Sequence, residues 1–147
     1  MEIIEVIENK KAYIELLLLA DEQEEMIDRY LDKGKMYVVD DNGIKCECVV
    51  TDMGNGVLEI KNIATLPEYQ GKGYAKVMID FIIKKYREEY SILQVGTGDS
   101  PLTIPFYEKC GFVRSHIILN FFTDNYNHPI YEGGIRLVDM VYLKRVL

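Results

Sequence analysis

The stretch Gln70-Gly71-Lys72-Gly73-Tyr74-Ala75 sets two glycines between a strand-like run and a run of helical spacing. A turn of this kind gathers unpaired backbone N–H groups at one point. Gly71 and Gly73 permit positive φ and close approach of a ligand, while the first helical amides and the positive end of the helix dipole favour an anion. Phosphate fits that chemistry best. Two familiar phosphate loops are ruled out: a P-loop needs Gly-Lys-Ser/Thr where this turn reads Gly71-Lys72-Gly73, and a dinucleotide fingerprint needs a small residue where Lys76 stands.

Other residues could handle protons or charge. Strand alternation in Val57-Leu58-Glu59-Ile60-Lys61-Asn62-Ile63 puts Glu59, Lys61 and Ile63 on one face. Glu59 is then either a carboxylate facing a wet cleft or half of a sheet-surface ion pair with Lys61. Tyr107, one of eleven tyrosines, reads from composition alone as a core aromatic. Residues 121–132 mix aromatics with Asp124, His128 and Glu132, which suits a pocket for a cationic amine, a packed hairpin arm or a dimer surface. His116 reads as a sheet residue and His128, before Pro129, as a turn residue. Cys46, Cys48 and Cys110 are odd in number and lack a zinc spacing, so reduced thiols and no metal site are expected.

These groups need elements to hold them. Residues 2–6 suggest a first strand, and residues 11–20 and 22–33 two helices, the second ended by Gly34. Residues 35–40, 44–52 and 57–66 then read as a meander, because Asp41-Asn42-Gly43 and Gly54-Asn55-Gly56 supply the positive φ of tight hairpins. After Pro67 the spacing of Tyr74, Val77, Met78, Phe81, Ile82 and Tyr86 predicts a helix of roughly 15–18 residues. A strand over 91–95 follows, then a short helix ending at Cys110 with Thr103 as N-cap and Pro105 in the first turn, a strand over 112–122 and a last strand over 138–145. The expectation is a mixed α+β sheet with helices packed on it, in one domain over residues 1–147.

Composition sets bounds on partners. The 147 residues are 48% apolar and 28% charged, as a globular domain requires, and the net charge of −7 has the wrong sign for holding nucleic acid. Ten carboxylates and four cations in residues 1–33 carry most of that excess. The apolar run Leu16-Leu17-Leu18-Leu19-Ala20 is too short to span a bilayer and no basic segment precedes it, so a cytoplasmic location without membrane contact is expected.

The glycine turn resembles the signature of the GNAT superfamily of N-acetyltransferases, Gln/Arg-x-x-Gly-x-Gly/Ala. About thirty residues later a second family-like block appears, Phe106-Tyr107-Glu108-Lys109-Cys110-Gly111-Phe112. The resemblance extends to the order of elements over nearly the whole chain and is weakest in the two N-terminal helices and residues 121–137. It implies an acyl-CoA N-acyltransferase-like fold: a mixed, mostly antiparallel sheet with a central splayed parallel strand pair and helices on both faces.

The same resemblance implies acetyl-CoA as acyl donor. Its pyrophosphate is expected on the amides of Gly71, Lys72, Gly73, Tyr74, Ala75 and Lys76, with Gln70 part of the same motif. Its pantetheine is expected along Ile63, Ala64 and Thr65. Ser100 stands seven residues before Tyr107, where the family often has Asn. Acetyl transfer needs a deprotonated amine, a stabilised oxyanion and a protonated leaving thiolate. Tyr107 matches the general-acid position, Glu59 a position that supplies a general base, and the Ile63 or Ala64 amide is the candidate oxyanion donor. The implied reaction is direct attack on the thioester by the primary amine of a small molecule or peptide. One alternative is a non-catalytic acetyl-CoA-binding or sensing module that docks a protein partner through its acidic N-terminal helices. Another uses a hydroxyl acceptor or a longer acyl chain.

Overall fold

A computed structural model describes residues 1–147. Nine strands are present: β1 Glu2–Val6, β2 Lys35–Asp40, β3 Ile44–Gly54, β4 Val57–Thr65, β5 Ile92–Gly98, β6 Val113–Ile118, β7 Tyr131–Glu132, β8 Ile135–Arg136 and β9 Met140–Val146. Five α-helices accompany them: α1 Ile14–Ala20, α2 Glu24–Asp28, α3 Tyr74–Tyr86, α4 Ile104–Lys109 and α5 Phe121–Asn125. Seven strands form one sheet in the order β1-β2-β3-β4-β5-β9-β6, and β7 pairs only with β8. Every pairing in the large sheet is antiparallel except β4 with β5. The expected meander is β2-β3-β4, and the mixed α+β class stands.

Helices cover both faces of the sheet. On one side Met78, Ile79 and Ile82 of α3, with Ile104 and Tyr107 of α4, meet Cys46, Cys48, Leu58, Ile60 and Val95 in the main core. On the other side Leu17 of α1 and Ile27 of α2 pack on Met36, Val38 and Val49. Successive side chains on a strand point to opposite faces, so β2 and β3 feed both cores. A third, small cluster of Phe122, Ile130 and Leu137 holds α5 against the β7–β8 hairpin. No helix is long and apolar enough to cross a membrane.

Several boundaries differ from the sequence expectation, each for a local reason. Residues 10–13 form a 3₁₀ turn before α1, and α2 keeps only five residues before loosening into turns. There Lys10 Nζ donates to the carbonyls of Leu31, Asp32 and Gly34 at 2.9, 3.3 and 2.6 Å. Helix α3 has 13 residues, because Gly73 at φ 88° delays its start. The strand expected over 112–122 stops at Ile118: Asn120 turns left-handed at φ 57° and α5 begins. Thr103 precedes α4 as expected but does not cap it, since its hydroxyl pairs with Thr97 Oγ1 at 2.8 Å.

Candidate functional site

The parallel pairing of β4 and β5 runs from Val57↔Ile92 to Ile60↔Val95 and no further. Beyond Ile60 the residues Asn62 to Thr65 pair with β3 alone, so their β5-side edge has no partner strand. Three features surround this divergence: the glycine turn at the end of β4, a cleft on the α1 face, and Tyr107 in the core beneath α3.

In the turn, Gly71 and Gly73 have φ of 78° and 88°, and a Cβ added at either would meet nothing within 4 Å. Positive φ is costly for any residue with a side chain. The open space on their outer side leaves the backbone approachable. The first backbone bond into α3 is Val77 N–H to the Gly73 carbonyl, so the amides of residues 71–76 have no acceptor in the chain. Gln70 Nε2 donates back to the Thr65 carbonyl at 3.3 Å, and the Tyr74 hydroxyl donates to Asp41 Oδ2 at 2.7 Å. Lys76 pairs with Asp80 at 2.8 Å, while Lys45 and Lys72 stand over the Tyr69 ring at 4.1 and 5.5 Å. A backbone anion cradle with cations beside it results.

Glu59 is 3% exposed, and its carboxylate collects three donors. Gln94 Nε2 reaches Oε1 at 2.5 Å, the Tyr142 hydroxyl reaches Oε2 at 3.3 Å, and Lys61 Nζ lies 2.7 Å from Oε2. The ion pair with Lys61 is therefore formed, and it is not at the surface: both residues line a cleft of about 220 Å³ on the α1 face. The expected shared face of Glu59, Lys61 and Ile63 is corrected. Val49 opposes Asn62 while the next residue, Val50, opposes Ile60, so Lys61 is an extra residue on β4. This bulge resets the alternation. Ile63 consequently packs with the α3-side core, and Asn62 takes the α1 side, donating to the Leu17 carbonyl and the Tyr30 hydroxyl, both at 3.0 Å.

Tyr107 is 6% exposed, and its ring meets Phe106 and Phe112 edge to face at 5.3 and 5.7 Å. Its hydroxyl has no hydrogen-bond partner in the chain, and burial keeps its proton on by raising the phenol well above its usual range. Tyr107 does not line the Glu59 cleft. The two residues lie on opposite faces of the sheet. Ser100 is buried and serves the α4 entry: its Oγ accepts from Leu102 N–H at 3.1 Å and its carbonyl takes the Thr103 and Ile104 amides.

The tail contributes aromatics to the cleft but not the expected acids. Phe121 and Tyr126 line it, whereas Asp124 and Glu132 do not. The carboxylate supplied instead is Asp21, which accepts from Tyr30 at 3.0 Å and from Tyr126 at 2.6 Å, and burial raises its carboxyl above the ordinary range. Sequence spacing gave no sign of Asp21, Gln94 or Tyr142 as neighbours, since they come from three separate segments, while Tyr126 lies in the aromatic stretch 121–132 read as a pocket candidate. His116 stacks flat on Tyr142 at 4.7 Å, so it steadies that ring. Gly96, opposite Tyr142 on β5, is needed there: a Cβ would come within 2.9 Å of the Tyr142 ring. No group of three or more His, Cys, Asp and Glu side chains is placed to hold a metal.

Known proteins share this fold. Residues 32–114 match the family model described as an acetyltransferase (GNAT) domain. The chain is 34% identical over 132 residues to the uncharacterised N-acetyltransferase YvbK of Bacillus subtilis, covering 88% of this chain and 85% of YvbK. Among solved structures, a GNAT family acetyltransferase from Elizabethkingia anophelis with acetyl-CoA bound superposes with a TM-score of 0.93 at 36% identity, over 99% of this chain and 97% of that one. A Bacillus subtilis acetyltransferase in complex with CoA superposes at 0.89 with 32% identity, over 99% and 98%.

Proposed function

Because the chain belongs to the GNAT family of acetyltransferases, we propose that it moves the acetyl group of acetyl-CoA to the primary amine of a small molecule or peptide. The observation that carries this reading is the divergence of β4 from β5 after Ile60, with an unpaired-amide turn at the end of β4 and a buried carboxylate where the strands part.

The residues present fit the cofactor. The amides of residues 71–76 are free to bind a pyrophosphate, and Gly71 and Gly73 leave them uncovered. The unpartnered edge of Ile63, Ala64 and Thr65 suits a pantetheine arm laid down as an added strand. An Ile63 or Ala64 amide just past the bulge is the donor available to a thioester oxygen. Ser100 is the weakest of the proposed contacts, being occupied by the α4 turn.

When bound, acetyl-CoA supplies an activated acyl carbon and a thiolate leaving group. The chain's own part is to move protons and hold the amine. Glu59, facing the cleft, accepts a proton from the incoming ammonium group directly or through water, and Lys61, Gln94 and Tyr142 fix its orientation. Tyr107, protonated and without a competing partner, donates its hydroxyl proton to the departing sulfur from the opposite face. The steady-state test is CoA release with an amine panel, for wild type, Glu59→Gln and Tyr107→Phe. Turnover reduced in both variants supports the assignment; turnover equal to wild type removes the residue concerned.

A further inference from the structure

The cations of the N-terminal segment are placed unevenly. Residues 1–33 hold four, against ten carboxylates. Lys10 is consumed by three carbonyls, and Lys11 is bound to Glu24 and Asp28. The remaining two, Arg29 and Lys33, both line the Glu59 cleft. Neither has a carboxylate within 4.0 Å. The side-chain hydrogen bond of Arg29 is Nη1 to Asn125 Oδ1 at 3.3 Å.

The acids of the cleft are already engaged. Glu59 is matched by Lys61, and both Asp21 oxygens accept tyrosine hydroxyls. Two cations without an ion-pair partner therefore line the same cleft as the matched Glu59–Lys61 pair. Such a field concentrates anions, and Arg presents a planar fork suited to a carboxylate. The apolar part of the lining includes Met26, Phe121, Tyr126 and Met140, which favour an apolar body.

We propose that the acceptor is a free amino acid with an apolar side chain, its carboxylate held by Arg29 and Lys33 and its amine directed at Glu59. This names the acceptor class for the acetyl transfer proposed above and rests on that reading. It narrows the cationic amine expected from sequence to a zwitterion, because the acids expected to hold that amine, Asp124 and Glu132, are outside the cleft.

The test compares matched acceptors on the intact protein with acetyl-CoA: phenylalanine, phenylalaninamide and phenethylamine, the corresponding leucine set, and spermidine. CoA release is the readout. The amino acids are expected to show kcat/KM at least tenfold above their amides and amines. Arg29→Gln/Lys33→Gln is expected to erase that preference by raising KM for the acids. Amides, amines or spermidine turned over as well as the acids, or better, would overturn the anion site and leave acetyl transfer standing. Calorimetry covers the case of no turnover. Binding of phenylalanine to the CoA-loaded protein that the double variant loses would uphold the anion site while the transferase reading fails; no binding would overturn the anion site.

Discussion

Lys61 Nζ lies 2.7 Å from Glu59 Oε2, and Lys61 is the residue by which β4 bulges against β3. Alternation already sets the lysine on the face of the glutamate, and the bulge keeps Asn62 on that side and sends Ile63 to the other. The irregularity thus falls at the counter-ion of the candidate base and marks where β4 loses β5.

Removing that counter-ion should cost stability. Lys61→Met leaves the Glu59 carboxylate buried with only Gln94 and Tyr142 as donors, and a charge-assisted bond is worth about 1.5–3 kcal/mol. Differential scanning calorimetry should show Tm falling by roughly 4–10 °C at pH 7. An unchanged Tm would mean that the pair contributes nothing to the fold.

Tyr107→Phe should separate stability from activity. The hydroxyl has no partner, so deleting it should leave the protein equally stable or up to about 1 kcal/mol more stable in urea titration. Over the same substitution kcat should fall on the order of 10²-fold, the low end for a lost proton donor, with little change in KM for acetyl-CoA.

Glu47, on β3 opposite Ala64, is fully buried and neither of its carboxyl oxygens has a hydrogen-bond partner. Burial raises its folded-state carboxyl well above the usual 4.5. A folded value above the unfolded one means that the native state binds more protons, so this contribution is complete below pH 4.5 and is lost as pH rises toward the folded value, at up to about 1.4 kcal/mol per pH unit. Glu47→Gln should therefore match wild type near pH 4 and exceed it in Tm at pH 8. A constant difference across that range would contradict the titration.

Much of the scaffold was legible before any coordinates. The β2-β3-β4 meander is written in two short turns and in alternation, and the glycine turn in two residues that must adopt positive φ. The bulge was not legible, because one inserted residue leaves no mark on the pattern it disrupts, and Ile63 was consequently assigned to the wrong face. Nor was the cleft. Asp21, Gln94, Tyr126 and Tyr142 meet Glu59 and one another only through tertiary packing, and Asn120 ends a strand whose composition alone would continue it.

Acetyl-CoA seated on the turn of Gly71 and Gly73 is the central claim, and thermal unfolding with and without the cofactor tests it most directly. At 100 times Kd the native state gains about 2.7 kcal/mol, a rise in Tm of roughly 5–10 °C for a chain of this size. The rise should vanish in Gly73→Glu, whose carboxylate would stand in the anion cradle. No rise at millimolar acetyl-CoA, or an equal rise in Gly73→Glu, would contradict the placement of the cofactor on this turn.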